Sequence, residues 1–267
     1  MHPMLNIAIR AARNAGNVIA RAFEHPDKIE AVQKGNNDIV TNIDKEAETA
    51  IIETIKKSYP DHGFVGEEFG QQGSAESDYL WIIDPLDGTT NFVKGIPHFS
   101  VSIALKVKGK IEHAVVYDPM RNELFAASRG QGAQLNGRRI RTSNMKELSG
   151  VLLATGFPHR SKHHTEAYLN IFGALFVHST DIRRSGSAAL DLAYVAAGRH
   201  DGFWEIALKP WDTAAGILLV KEAGGLITDF IGNDNVEKTG NIVAGGPKVV
   251  QNMLKEMRPH LTESLSR

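Results

Sequence analysis

The stretch Asp84-Pro85-Leu86-Asp87-Gly88-Thr89-Thr90-Asn91-Phe92 constrains this chain more than any other. It follows Tyr79-Leu80-Trp81-Ile82-Ile83, an apolar and partly β-branched run that predicts a buried strand. The strand therefore delivers two carboxylates, a glycine and two threonines to one point at its C-terminal end. Pro85 fixes φ and denies Asp84 the α region, so the chain leaves the strand extended. Gly88 permits a sharp turn and a close approach of the backbone to a bound group. Carboxylates three residues apart on such a turn can face one cation with the Leu86 carbonyl between them, the oxygen-only supply that hard cations need. The alternative is an ordinary Asp-Gly turn in which Asp87 caps whatever follows.

The rest of the composition narrows the function classes. With 267 residues, 42% hydrophobic and 23% charged, the chain can bury one large core or two joined lobes. The reading is a single domain over residues 1–267, its two α/β lobes meeting near 145–150. A formal net charge of -1 supplies no global field for nucleic acid or an anionic membrane, so no direct nucleic-acid binding is predicted. Cysteine is absent, which removes disulfides, thiolate metal sites and a Cys nucleophile. No apolar run approaches the ~20 residues needed to cross a bilayer, and the first residues lack a signal-peptide pattern. A cytoplasmic protein with no membrane partner is expected.

Periodicity organises the remainder. Leu5, Ala8, Ala12, Ala15 and Ile19 recur at helical spacing from Pro3 to Phe23. Thr41 opens a second helix with Asp44 three residues on, a capping-box pattern that competes with a catalytic role for Asp44. Phe64-Val65-Gly66 is a short strand ending in Glu67-Glu68, repeating the design of the central motif, and Gln71 to Asp78 reads as an exposed loop. Ser100 to Leu135 predicts an antiparallel meander with turns at Lys108-Gly109-Lys110, Asp118-Pro119, Arg129-Gly130 and Asn136-Gly137. Beyond it, strands at Val151–Thr155, Asp201–Ile206, Leu226–Phe230 and Ile242–Ala244 alternate with helices, of which the Gly186–Ala197 helix is rich in small residues. Mixed helices and strands of this kind predict a layered α/β or α+β architecture.

Four strand or helix ends offer oxygen ligands: Glu67, the Asp84–Asp87 turn, Glu205 and Asp212. Asp212 also sits where it would meet a helix dipole favourably. Clustered carboxylates without Cys suit Mg²⁺, and a pair of such ions suits phosphoryl transfer. His159, His163 and His164 raise a transition-metal alternative, although their neighbours Arg160, Ser161 and Lys162 favour a solvated loop. Arg183 and Arg184 precede a helix N-terminus and could either attend an anion or lie at the surface. There is no P-loop, no His-Glu-x-x-His helix and no Gly-x-Ser-x-Gly elbow, so attack by a metal-activated water is the simplest chemistry.

Trp81 through Phe92 resembles the signature of the inositol monophosphatases, lithium-sensitive Mg²⁺-dependent phosphatases. Gly66-Glu67-Glu68, Asp38-Ile39-Val40-Thr41 with Asp44, and Pro210-Trp211-Asp212 with Ala214-Ala215-Gly216 are similar to that family's other motifs. Met4–Ala12, Asp118–Phe125 and Arg183–Gly198 resemble its bacterial SuhB branch in particular. The resemblance implies an α-β-α-β-α layered sandwich, a homodimer, and hydrolysis of myo-inositol 1-phosphate and related polyol phosphates. Fructose-1,6-bisphosphatase and nucleotide 3′-phosphatase activities share the metal motif and stand as alternatives. The SuhB branch further implies a role in ribosomal RNA transcription antitermination, through protein contacts with Nus factors and RNA polymerase, and so admits a mainly non-enzymatic reading.

The same resemblance assigns roles. Glu67, Asp84 and the Leu86 carbonyl would hold one Mg²⁺; Asp84, Asp87 and Asp212 a second; a third, weaker site would involve Glu67, and Li⁺ would inhibit. Thr89 with Asp44 would orient and deprotonate the attacking water, Glu67 acting beside them. The backbone of Gly88 and Thr89 would receive phosphate. Glu205 and Asp212 would face the inositol hydroxyls, with Gly186, Ser187, Ala188 and Arg183 lining the pocket. Lys34 matches a basic residue near the metals, but the loop from it to Asp38 is one residue short of the family pattern. His62-Gly63-Phe64-Val65 also departs from that pattern without touching a ligand.

Overall fold

A computed structural model describes residues 2–33, 39–74 and 77–266. Lys34 and Asp38 therefore lie outside the described residues. The first half runs α1 (Pro3–Phe23), β1 (Ala31–Gln33), β2 (Ile39–Thr41), α2 (Asn42–Lys56), β3 (Gly63–Gly66), β4 (Gly70–Gln72), β5 (Tyr79–Asp87) and α3 (Thr89–Val93). A meander follows: β6 (Ser100–Val107), β7 (Lys110–Asp118), β8 (Glu123–Ser128), β9 (Gly132–Leu135) and β10 (Arg138–Arg139). The second half runs β11 (Leu152–Thr155), α4 (Thr165–Phe176), β12 (Asp181–Arg183), α5 (Ala188–Ala196) and β13 (Gly202–Glu205). It closes with α6 (Pro210–Glu222), β14 (Leu226–Thr228), α7 (Val236–Thr239), β15 (Ile242–Gly245) and α8 (Pro247–Met257).

Two sheets result. The larger has eight strands in the order β10-β9-β8-β7-β6-β5-β3-β4, antiparallel except where β3 and β5 run side by side. The smaller has five, in the order β12-β11-β13-β15-β14, with β11 parallel to both β12 and β13. The meander matches its prediction from alternation and turn residues. Gln71 and Gln72, read as loop, instead form β4, because Phe64 and Val65 pair with them backbone to backbone. Polar side chains do not prevent this at an edge, where one face and one side are wet.

The layers follow from which faces are apolar. α1 and α2 bury Ala8, Ala12, Ala15, Ile19, Ile43, Ala47 and Ile51 against Trp81, Ile83, Ile103 and Val115 on one face of the large sheet. Its other face, with Ile82, Ala114, Val116 and Phe125, packs on α5 and α6. Those two helices also meet Ala154, Phe203 and Ile242 of the small sheet. The far face of that sheet, through Leu153, Trp204 and Val243, is covered by α4 and α8. The order is thus α-β-α-β-α, the layered sandwich expected. A helix between two sheets must be apolar all round, and α5 is buried along nearly its whole length, from Ala188 to Ala196. Its alanines let both sheets approach closely. Likewise β5 is covered on both faces, which explains its unbroken apolar run. Among the described residues no helix is long and apolar enough to cross a membrane.

Candidate active site

The layering brings several element ends to one edge of the sandwich. β3 and β5 are parallel neighbours with Gly66 opposite Ile83, so Glu67 and Asp84 emerge side by side. β5 does not stop before the motif, as the sequence suggested. It continues to Asp87 with a register shift between Asp84 and Asp87, and such a bulge re-aims side chains out of the sheet. Gly88 then takes φ 102°, the left-handed conformation that glycine tolerates, and α3 begins at Thr89. From the second half of the chain come Glu205 at the end of β13, Asp212 in the first turn of α6, and the Ser187 cap of α5.

These ends enclose a cleft of about 220 Å³. Glu67, Asp84, Leu86, Asp87, Gly88, Thr89, Gly186, Ser187, Ala188, Glu205 and Asp212 all line it. Arg183 does not: its side chain is exposed and pairs with Asp181. The next residue, Arg184, lines the cleft instead, its guanidinium 5.0 Å from the Phe157 ring centre. Of the three loop histidines only His159 reaches the cleft, whereas the rings of His163 and His164 lie against each other.

Main-chain hydrogen bonds fix one oxygen of several carboxylates. Asp84 accepts from the Leu86 N–H at 3.0 Å. Asp87 accepts from the Ser187 hydroxyl at 2.6 Å and the Ala189 N–H at 2.7 Å, tying the motif to the start of α5. Asp212 accepts from the Lys209 N–H at 2.7 Å. Asp44 accepts the Thr41 N–H at 2.8 Å with one oxygen and the Thr89 hydroxyl at 3.0 Å with the other. The capping role read for Asp44 is therefore real, and its second oxygen is taken by Thr89, which lines the cleft. Asp212, read for its place at the helix dipole, also caps α6 with one oxygen and lines the cleft itself. Glu205 is accommodated because Gly156 has no side chain: a Cβ there would stand 2.0 Å from the carboxylate carbon.

The electrostatics favour added positive charge in the cleft. Burial and the facing Asp212 push Glu67 up to about 8, with Arg160 opposing. Burial and Asp87 push Asp212 up to about 7. Asp84 is raised by burial, Glu67, Asp87 and Asp212. Glu205 is raised by burial, Asp212 and Asp191. Asp87 is raised by burial despite its hydrogen bonds from Ser187 and Ala189. So many buried carboxylates cannot all be ionised without compensating positive charge. As they stand, no three His, Asp or Glu side chains among the described residues converge on a single point, and they ring the cleft. The donor set is carboxylate and carbonyl oxygen throughout, which fits a hard divalent ion such as Mg²⁺ and not a thiophilic one.

Sequence reading missed the roles of three residues that line the cleft. Arg160 places its guanidinium 3.4 Å from Glu67 and 3.7 Å from Asp212. Asp191, on α5, faces the cleft fully buried. Asn91 donates to the carbonyls of His98 at 2.8 Å and Ser185 at 2.9 Å, joining motif to α5. Asn91 carried a signal, since it lies inside the motif. Arg160 carried none, because the pairing spans 93 residues.

Comparison with known proteins identifies relatives of the whole chain. The chain matches the inositol monophosphatase family over residues 1–263. It is 62% identical to the Nus factor SuhB of Escherichia coli K12 over 267 residues, all of both chains. The crystal structure of extragenic suppressor protein suhB from Bartonella henselae superposes with a TM-score of 0.94 at 42% identity, covering 97% of this chain and 100% of that one. The inositol monophosphatase from Anabaena (Nostoc) gives 0.85 at 38% identity, covering 96% and 95%.

Proposed function

Because this chain belongs to the inositol monophosphatase family, we propose that it hydrolyses myo-inositol 1-phosphate and related polyol phosphates to polyol and phosphate, with Mg²⁺ as cofactor. The observation that carries this reading is the convergence of Glu67, Asp84, Asp87 and Asp212 on one cleft beside the Thr89–Asp44 pair. Glu67, Asp84, Asp212, Asp87 and the Leu86 carbonyl would hold the ions. When bound, Mg²⁺ supplies Lewis acidity that draws charge from the phosphoryl oxygens and eases deprotonation of water.

The chain's own groups supply position and proton transfer. The Thr89 hydroxyl accepts a hydrogen bond from the attacking water and donates to Asp44, so the water proton passes toward that carboxylate. The main-chain N–H groups after Gly88 receive the phosphate oxygens. Glu205 and Asp212 accept the polyol hydroxyls, and Gly186, Ser187 and Ala188 form the facing wall. The P–O bond to the polyol breaks; the water oxygen stays on phosphorus and its proton ends on the polyol. Phosphate release from inositol 1-phosphate, titrated with Mg²⁺ and repeated with Li⁺, tests the reading. Absence of Mg²⁺-dependent release would overturn it, and faster turnover of a sugar bisphosphate or nucleotide 3′-phosphate would reassign the substrate.

The name of the Escherichia coli relative favours a second role, in which a homodimer in the cytoplasm contacts Nus factors and RNA polymerase through protein surfaces. A net charge of -1 supports protein contacts over direct RNA binding. An Asp87→Asn protein that hydrolyses nothing yet restores a deletion strain would separate the two roles; failure to restore it would tie growth to hydrolysis.

A further inference from the structure

Glu48 lies one turn beyond Asp44 on the same buried face of α2, and none of its surface is exposed. One carboxylate oxygen accepts the Glu68 N–H at 2.9 Å and the other accepts the Phe69 N–H at 3.2 Å. Those two residues belong to the three-residue hairpin Glu67-Glu68-Phe69, whose ends, Gly66 and Gly70, pair across β3 and β4. The Glu67 N–H donates in the other direction, to the Ile83 carbonyl of β5 at 3.2 Å, one residue before Asp84. The hairpin is therefore gripped on one side by β5 and on the other by Glu48. Charge-assisted bonds to main-chain N–H groups are strong restraints, and leaving those N–H groups unmet inside the protein would be unfavourable.

Gly66 completes the arrangement. A Cβ at that position would stand 1.9 Å from one Glu48 oxygen and 2.5 Å from its carboxyl carbon. The strand must pass so close to the carboxylate that only glycine fits.

We propose that Glu48 is a positioning residue for the cation site, holding the Glu67–Phe69 hairpin so that the Glu67 carboxylate faces Asp84 and Asp212. One buried face of α2 then sets both the water-orienting group, through Asp44, and the ligand hairpin, through Glu48. Their spacing is fixed by a helix and not by a loop. This inference rests on the cation-dependent reading given above.

The test is calorimetric titration of Mg²⁺ into the purified full-length protein, run beside the Mg²⁺ dependence of phosphate release. Glu48→Gln keeps the shape but cannot accept both N–H bonds. It should weaken Mg²⁺ binding ~10–100-fold, the usual consequence of removing an outer partner of a metal ligand, and much of kcat should return at saturating Mg²⁺. Gly66→Ala should reproduce that loss by displacing the same carboxylate, and the double variant should be no worse than either single one. Circular dichroism and the unfolding midpoint of the metal-free variants show whether they are folded. A folded Glu48→Gln protein that binds Mg²⁺ like the wild type would overturn the proposal, as would additive losses in the double variant. Wild-type protein that binds Mg²⁺ but hydrolyses no phosphate monoester would defeat the proposed reaction alone, because the isotherm reads the hairpin directly. Wild-type protein that binds no Mg²⁺ would defeat both.

Discussion

The Asp44 carboxylate is shared between two neighbours: one oxygen caps its own helix at Thr41, and the other accepts the Thr89 hydroxyl at 3.0 Å. The Thr89 oxygen is also 3.0 Å from the Leu86 carbonyl. A hydroxyl has one proton, so it donates to one of these at a time. In Asp44→Asn the cap retains the amide oxygen, which turns the amide N–H₂ toward Thr89. The hydroxyl then donates to Leu86 and the path for the water proton is cut. Asp44→Asn and Thr89→Val should each lower kcat by ~10²–10⁴-fold, the usual worth of a positioned acid–base group. Their combination should be no slower than the worse single variant, since the pair acts as a unit. Additive losses would show two independent roles.

Asp84 sits at the centre of the carboxylate ring, fully buried, with Glu67, Asp87 and Asp212 all raising its proton affinity. Stability and function oppose each other here. Asp84→Asn should abolish Mg²⁺-dependent hydrolysis and raise the metal-free unfolding midpoint by ~2–4 °C, roughly 1 kcal/mol for a chain of this size. The Leu86 N–H still finds the amide oxygen, so nothing else is lost. Scanning calorimetry of both proteins in chelator decides it; an unchanged or lowered midpoint would show that the carboxylates do not strain the fold.

Much of this was legible in residues. A layered mixture of helices and strands came from period-2 and period-3.6 patterns, the α-β-α-β-α order came from the family resemblance, and Gly186–Ala197 read as a small-residue helix without a sign of what it packs between. The motif carboxylates could be read because their neighbours Pro85, Gly88 and Thr89 only make sense together. Arg160, Asp191 and Glu48 could not, since each acts through a partner far along the chain: Glu48 meets Glu68 at a separation of 20 and Arg160 meets Glu67 at 93. Capping also leaves room for the roles proposed for Asp44 and Asp212. A carboxylate has two oxygens, and the cap that holds one fixes the aim of the other. Arg183 was chosen over Arg184 because sequence cannot say which of two adjacent side chains turns inward where β12 ends.

His200 gives a pH signature from behind the cleft wall, where it faces Asp191. It is buried, 3.6 Å from Asp191, and burial lowers its pKa to about 4, His98 and Arg183 adding to the effect. A histidine whose folded pKa lies below its unfolded value of ~6.5 is protonated first in the unfolded chain. Its contribution to stability is complete above that value and is lost as pH falls toward the folded one. Between pH 7 and pH 5 the loss should be about 2 kcal/mol. Urea unfolding of the wild type and His200→Gln at both pH values checks this. The variant's stability should fall less on acidification, and parallel declines would remove His200 from the account.

Arg160 reaches from the loop after β11 to stand 3.4 Å from Glu67 and 3.7 Å from Asp212, carboxylates that the proposed ions would also use. Its side chain is 28% exposed, so it can move toward solvent at little cost, keeping its charge hydrated. Arginine and a divalent cation then compete for the same negative field. Removing the guanidinium leaves Glu67 and Asp212 repelling each other more strongly, which destabilises the metal-free protein but sharpens its demand for an ion. Arg160→Gln should therefore lower the metal-free unfolding midpoint, enlarge the stabilisation that saturating Mg²⁺ provides, and reduce several-fold the Mg²⁺ needed for half-maximal hydrolysis. A thermal shift series over Mg²⁺ concentration measures the first two, and steady-state rates the third. If Arg160 instead helped to hold the substrate phosphate, KM for inositol 1-phosphate would rise while the Mg²⁺ requirement stayed where it is. The two outcomes move different parameters, and the second would make Arg160 part of the binding surface and not a counter-ion to it.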